Sequence, residues 1–135
     1  MDLDSNRVVT EQGPWDVAFD RWTMRTNSAA TGENQVTNLR FGPGTTQSSN
    51  TFANANLAFA RVAPSFVWRR DTFEGVFATQ PWYKYDSQVN AIYPTYDVYL
   101  VRRGTAVWKV QFTGYFLPQG SDERRVTIRA VSLRP

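Results

Sequence analysis

The sequence predicts an all-β domain of predominantly antiparallel strands, with long loops and at most one short helix. Two observations support this fold class. The chain has five Trp, six Tyr and nine Phe among 135 residues, and flat rings suit the pleated, half-buried surface of a strand. Short segments of alternating apolar and polar residues, separated by turn residues, repeat to the C-terminus, which is typical of antiparallel sheets. The length fits a single domain over residues 1–135, with residues 1–7 expected to form a polar tail.

The first half of the chain contains one clear strand. Trp15, Val17 and Phe19 alternate with more polar residues after a Gly13-Pro14 turn signal. The alternation changes phase at Arg21, which predicts a bulge or a bend. Residues 27–50 are rich in Asn, Ser, Thr and Gly and predict a long surface loop. Residues 52–62 combine helical spacing of apolar residues with poor helix formers, so a short helix is left open there.

The second half carries the stronger strand signals. A second loop is expected to end at Pro94, and Gly104-Thr105 predicts a hairpin turn. In the strand that follows this turn, Trp108, Val110 and Phe112 share one face, which predicts their burial, and Lys109 and its alternating neighbours share the other. The predicted strands are 73–78, Tyr96–Arg103, Ala106–Phe116 and Arg125–Leu133.

The composition excludes several kinds of chemistry. The chain has no Cys and no His, so it lacks disulfides, thiolate nucleophiles, imidazole acids and bases, and the commonest metal ligand. Phosphate-binding and metal-ligand motifs are absent, and Asp16 and Asp20 share a strand face without a defined partner acid. We therefore predict a binding domain with no catalytic residue and no metal site of its own.

The charge pattern bears on possible partners. The net charge is +3, and the arginines are spread in pairs along the chain instead of forming a stripe, so nucleic acid is not an expected partner. Two interpretations of the arginines remain: solvent-facing strand residues, or a cationic rim that favours a carboxylate or a propionate. No apolar run approaches membrane-spanning length.

Three sequence blocks occur in a recognisable order. The first block is Trp15–Arg21 followed by Thr26-Asn27, the second is Trp82-Tyr83-Lys84-Tyr85 followed by Ile92 and Pro94, and the third joins Tyr99–Arg102 to Lys109–Phe112 and Tyr115. This order and spacing, from about residue 8 to 133, resembles the HmuY family of haem-binding bacterial lipoproteins. Arg102 and Lys109 match framework positions of that pattern and are expected to pair with carboxylates.

The resemblance implies a function and a location. It implies an all-β fold that binds haem or another porphyrin for haem acquisition, at the bacterial outer membrane or outside the cell. An outer-membrane haem transporter is the partner that the family implies. The membrane would be reached through a lipidated N-terminus outside residues 1–135, since Met1–Asp4 is polar and unlike a signal peptide.

The sequence departs from the family at the iron ligand. Family members often carry an axial His after the second block, and Asn90 stands at that position here. A carboxamide is a poor ligand for haem iron, whereas a Tyr phenolate can hold ferric haem. Tyr83, Tyr85 and Tyr93 flank Asn90 and are candidate ligand contacts, although Tyr at strand ends also occurs as an amphipathic packing residue.

Met24 is a further candidate. As the only internal Met, it could supply a thioether ligand, or it could simply pack in the core. The sequence thus leaves two hypotheses for the chain. It is a haem-binding or porphyrin-binding domain of the HmuY type, or a diverged envelope interaction module of the same fold without a haem site.

Overall fold

The computed structural model describes residues 1–27, 34–38, 52–53, 55, 76–116 and 125–133. It confirms the all-β prediction: within these ranges every strand pair is antiparallel and one short helix is assigned. The elements are β1 (Val17–Asp20), β2 (Thr23–Thr26), β3 (Asn34–Asn38), α1 (Val76–Thr79), β4 (Tyr83–Asp86), β5 (Ala91–Pro94), β6 (Val98–Arg103), β7 (Ala106–Phe116) and β8 (Arg125–Leu133). They form a four-stranded sheet in the order β3-β6-β7-β8 and two hairpins, β1-β2 and β4-β5.

The two central strands of the large sheet are buried on both faces. In β6, Tyr99 and Val101 contribute to one hydrophobic cluster, whereas Val98 and Leu100 contribute to another on the opposite face. The register pairs Tyr99 with Val110, and directly paired residues of neighbouring strands point to the same face of the sheet. This explains why β6 has a nearly continuous apolar sequence instead of a clean alternation.

Phe112 lies at the centre of the larger cluster. Its ring centroid is 5.0 Å from that of Trp82, 5.8 Å from Tyr99 and 6.2 Å from Phe19. Phe77 of α1 adds a perpendicular ring at 6.3 Å. Phe112 therefore joins the sheet, the β1-β2 hairpin, the helix and the segment before β4. The predicted burial of Trp108, Val110 and Phe112 is confirmed.

The opposite face of the sheet is covered by Phe52 and Ala55. The buried Lys109 Nζ donates hydrogen bonds to the backbone carbonyl oxygens of Phe52 at 2.6 Å and Ala55 at 3.1 Å. Burial lowers the pKa of Lys109, and the positive charge of the nearby Arg129 lowers it further. Among the described residues the partners of the Lys109 ammonium are these two carbonyl groups, which it anchors against the sheet, and the expected carboxylate partner stays a prediction.

Residues 1–7 are packed against the domain, whereas the sequence predicted a tail. The buried Asp16 carboxylate accepts a hydrogen bond from the Leu3 amide at 2.8 Å and another from Arg103 at 3.0 Å. Arg103 also pairs with Asp4, and Leu3 is buried in the larger cluster. One arginine of β6 thus fastens the N-terminal segment to the sheet, a long-range contact that local sequence patterns do not reveal.

Several local predictions need correction. The predicted strand over 73–78 is wrong in its described part, because Val76–Thr79 is helix α1. The phase change at Arg21 is a two-residue hairpin turn, since Asp20 pairs with Thr23. The loop predicted over 27–50 contains strand β3, and the loop that ends at Pro94 contains the β4-β5 hairpin. Phe52 and Ala53 have helical backbone, and most of the 52–62 segment lies outside the described residues.

The last three strands agree closely with the prediction. The β6-β7 turn at Gly104-Thr105 and the bounds of β7 and β8 are as predicted, while β6 begins at Val98, two residues later. A bulge shifts the β7-β8 register between Phe112 and Gly114. As a result Tyr115, expected on the Lys109 face, packs against the larger cluster with Trp82.

We expect Phe112→Ala to lower the free energy of unfolding by about 3–5 kcal/mol, because it removes a buried ring and leaves a cavity among four others. Urea unfolding monitored by circular dichroism measures this loss. Val131→Ala, at an exposed position of β8, is the control and should change stability by less than about 1 kcal/mol. A Phe112→Ala loss as small as that of the control would contradict the central position of this ring.

Asp16 gives a prediction about pH. Burial raises the pKa of Asp16 against the opposing effects of the Leu3 amide and Arg103. Between the ordinary carboxyl pKa and the raised value, the native state binds the proton more tightly than the unfolded chain does, so the stability that Asp16 contributes falls as pH rises through this window. The free energy of unfolding of wild type minus that of Asp16→Asn should therefore decrease as pH rises.

Urea unfolding of both proteins from about pH 3 to pH 8 measures this difference. Asp20→Asn, at an exposed position of the same hairpin, controls for the loss of one carboxylate. If this difference increases with rising pH instead, the Arg103 ion pair stabilises the Asp16 carboxylate by more than its burial destabilises it.

Candidate functional site

A groove of about 850 Å³ lies between the β4-β5 hairpin and the bulged end of β7. Five of the six tyrosines of the chain line it, and Tyr99, buried in the core, is the exception. We call this site the tyrosine groove. Its described aromatic residues are Trp22, Tyr83, Tyr85, Tyr93, Tyr96 and Tyr115. Such a concentration is typical of binding surfaces, because Tyr offers a large rigid ring and a polar hydroxyl at low entropic cost.

The hairpin geometry sets one wall of the groove. Tyr83 pairs with Pro94 and Tyr85 with Ile92, so these four side chains share one face of the hairpin. The connecting turn is stabilised by the Gln88 amide, which donates to the Asp86 carboxylate at 2.9 Å. The local sequence Asp-Ser-Gln-Val-Asn thus supplies a turn with its own side-chain acceptor.

Asn90 ends this turn with a left-handed backbone, at a φ of 51°. Asn is one of the few residues other than Gly that adopts this conformation readily. Its side-chain oxygen accepts a hydrogen bond from the Tyr85 hydroxyl at 2.8 Å. Asn90 therefore has a structural role in the turn and also orients a polar group in the groove.

The outer tyrosines are unusually accessible. Tyr85 is 56% exposed, Tyr93 52% and Tyr96 43%. A Tyr ring that stays in water does not contribute the favourable free energy of burying its apolar surface. Their exposure in one groove makes them available to a ligand, which can stack on the rings and bond to the hydroxyls.

Trp82 lies behind the lining of the groove and is fully buried. Its indole Nε1 donates to the Trp22 carbonyl at 2.9 Å, and its ring lies 5.4 Å from Tyr83 and 6.2 Å from Tyr115. Because Trp82 also packs on Phe112, the wall and floor of the groove are continuous with the core. The inner residues are fixed, while the outer tyrosines remain exposed.

The β7 bulge shapes the other wall. Thr113, Gly114 and Tyr115 line the groove at this point. A Cβ at Gly114 would lie in ordinary van der Waals contact with the neighbouring strand, 3.4 Å from the Thr127 Oγ1. Bulges commonly redirect side chains beside binding sites, and here the bulge brings Tyr115 to the groove.

The structure brings together four of the five candidate ligand residues predicted from the sequence. Tyr83, Tyr85, Asn90 and Tyr93 all line the tyrosine groove. Met24 lies elsewhere, buried in the core opposite Phe19 in the β1-β2 pairing. Sequence reasoning missed Trp22, Tyr96 and Tyr115, which reach the groove through a turn, a left-handed residue and a bulge. Only the clustering of tyrosines between positions 83 and 115 could have pointed to two of them.

Known proteins give no direct guide to the ligand. No protein-family model matches the sequence, and no curated protein matches it either. Within the described ranges, His, Cys, Asp and Glu do not form a group of three or more that could hold a metal ion. In the same ranges, no helix has the length and apolar character to cross a membrane. The chemistry of the groove is therefore the basis for a functional proposal.

Tyr85→Ala and Tyr93→Ala should each change the free energy of unfolding by less than about 1 kcal/mol, because both rings are largely exposed. Tyr99→Ala is the matched comparison within the same residue type. Its ring is buried and its hydroxyl donates to the Gln80 carbonyl at 2.7 Å, so we expect a loss of about 3–5 kcal/mol. Urea unfolding of the three variants tests this ranking. Comparable losses in all three would mean that the groove tyrosines maintain the fold.

Proposed function

We propose that this protein is a non-enzymatic binding domain that holds haem or another porphyrin in the tyrosine groove. The observation that carries the proposal is the convergence of Tyr83, Tyr85, Asn90 and Tyr93 on one groove. The resemblance of the sequence points to the same four residues as candidate haem contacts. Their clustering supports one shared binding site.

The shape and chemistry of the groove suit a flat apolar ligand. Its volume of about 850 Å³ falls in the range usual for small-molecule and cofactor sites. Exposed Tyr rings can stack on a macrocycle, and their hydroxyls can bond to polar groups at its edge. Tyr85 and Tyr93 would supply the main contacts. Bound haem would bring an iron atom able to accept a Tyr oxygen as an axial ligand.

The biological role that we propose is haem acquisition at the bacterial envelope or outside the cell. In this role the domain would carry haem as cargo and pass it to an outer-membrane transporter. An exposed groove suits transfer, because a ligand held at the surface remains accessible to a second protein. The competing proposal is an envelope interaction module, since exposed tyrosines are also enriched in protein–protein interfaces.

Haemin titration followed by visible absorbance tests the site. Wild type should bind haemin with a high-spin ferric spectrum, because the chain has no His to supply a strong nitrogen ligand. Tyr85→Ala and Tyr93→Ala should weaken binding by about tenfold each, since a lost stacking contact of 1.4 kcal/mol corresponds to that factor. Val89→Ala, in the same turn but outside the described lining, should bind as wild type does.

A gain-of-ligand variant tests the position of the iron. Asn90→His adds an imidazole to the groove, and His tolerates the left-handed backbone of this position better than most residues do. We expect tighter haemin binding and a sharper, shifted Soret band. Val89→His adds the same group one residue away and should leave both unchanged. Identical titrations for wild type, Asn90→His and Val89→His would contradict the haem proposal and favour the interaction module.

A further inference from the structure

A second cleft, of about 990 Å³, lies next to the β1-β2 hairpin. The two turn residues of this hairpin face different cavities: Arg21 lines the second cleft, whereas Trp22 lines the tyrosine groove. The cleft is bounded by residues 8–11, by the hairpin and by β8. Its apolar wall is formed by Val9, Trp15, Phe19, Val126 and Ile128.

The charged residues of this cleft favour an anion. Among the charged side chains of the described lining, Arg21 and Arg25 are positive and Glu11 is negative, so positive charge prevails. Arg25 is held against the wall, with its Cζ 5.3 Å from the centroid of the Trp15 ring. A guanidinium beside apolar surface binds carboxylates well, because its planar N–H groups match the two carboxylate oxygens.

Arg21 occupies a position where glycine would be expected. Its φ is 57°, and it is the first of two turn residues between the paired Asp20 and Thr23. Gly104 has the same φ and the same position in the β6-β7 turn. A two-residue hairpin with positive φ only at its first residue normally has Gly there. The strain at Arg21 therefore indicates a use for its side chain beyond the turn.

We infer that this cleft binds an amphiphilic carboxylate with a flexible hydrocarbon chain. Arg21 and Arg25 would bind the carboxylate, and the apolar wall would bury the chain. Val9, Val126 and Ile128 add aliphatic surface to the aromatic rings of this wall, which suits an alkyl tail. This site is separate from the tyrosine groove and does not depend on the haem proposal.

Isothermal titration with decanoate, and with 1-decanol as the uncharged probe of equal chain length, tests the inference. Decanoate should bind wild type at least about tenfold more tightly than 1-decanol, as expected for a charge-assisted hydrogen bond. Arg21→Gly and Arg25→Gln should each weaken decanoate by about tenfold and leave 1-decanol unchanged. Arg7→Gln removes the same charge from an exposed residue outside the described lining and should bind as wild type.

Arg21→Gly separates binding from folding. Because Gly relieves the strain of a positive φ, this variant should melt at the same or a higher temperature while it binds decanoate less tightly. Tyr85→Ala should bind decanoate as wild type does, which places the probe outside the tyrosine groove. Equal affinity for decanoate and 1-decanol, or equal loss in Arg7→Gln and Arg21→Gly, would overturn the inference. A loss confined to Tyr85→Ala would also overturn it.

Discussion

The packing of β6 and β7 between two apolar layers is the constraint on which the rest of the structure depends. Because both faces of these strands are buried, the chain must supply a cover for each. The larger cover is built around Phe112 from four other rings, and the smaller from Phe52 and Ala55. This arrangement also buries the ammonium group of Lys109, which costs hydration energy. The ammonium regains hydrogen bonds by donating to two backbone carbonyl oxygens.

The same core determines where the binding groove forms. Trp82 packs on Phe112 and on two groove tyrosines, Tyr83 and Tyr115. The β7 bulge lies directly after Phe112 and brings Tyr115 to the Trp82 side of the sheet. A rigid base beneath exposed aromatic side chains is an efficient binding surface, because less conformational entropy is lost when a ligand orders only the outer rings.

The sequence predicts this fold best where periodicity and turn chemistry agree. The bounds of β7 and β8 and the Gly104 turn follow from alternation and from a glycine at the required position. The hairpin at Arg21 was less predictable, because an arginine replaces the usual turn residue and only the phase of alternation changes. The short, mostly apolar run over 73–78 predicts a strand where the structure has helix α1 from Val76, because such runs fit either structure. The resemblance points to Tyr83, Tyr85, Asn90 and Tyr93, but their convergence with Trp22 depends on long-range packing.

Residues with a left-handed backbone line both the tyrosine groove and the second cleft. Within the described part of the chain, four residues other than Gly have a positive φ: Asn6, Arg21, Asn90 and Tyr96. Three of them line a cavity, Arg21 in the second cleft and the other two in the tyrosine groove. Asn adopts this conformation at little cost, whereas Arg and Tyr do not. A requirement of the fold alone would be met by Gly, as it is at Gly104. Arg21 and Tyr96 thus place large side chains in the cavities at positions where the backbone favours Gly.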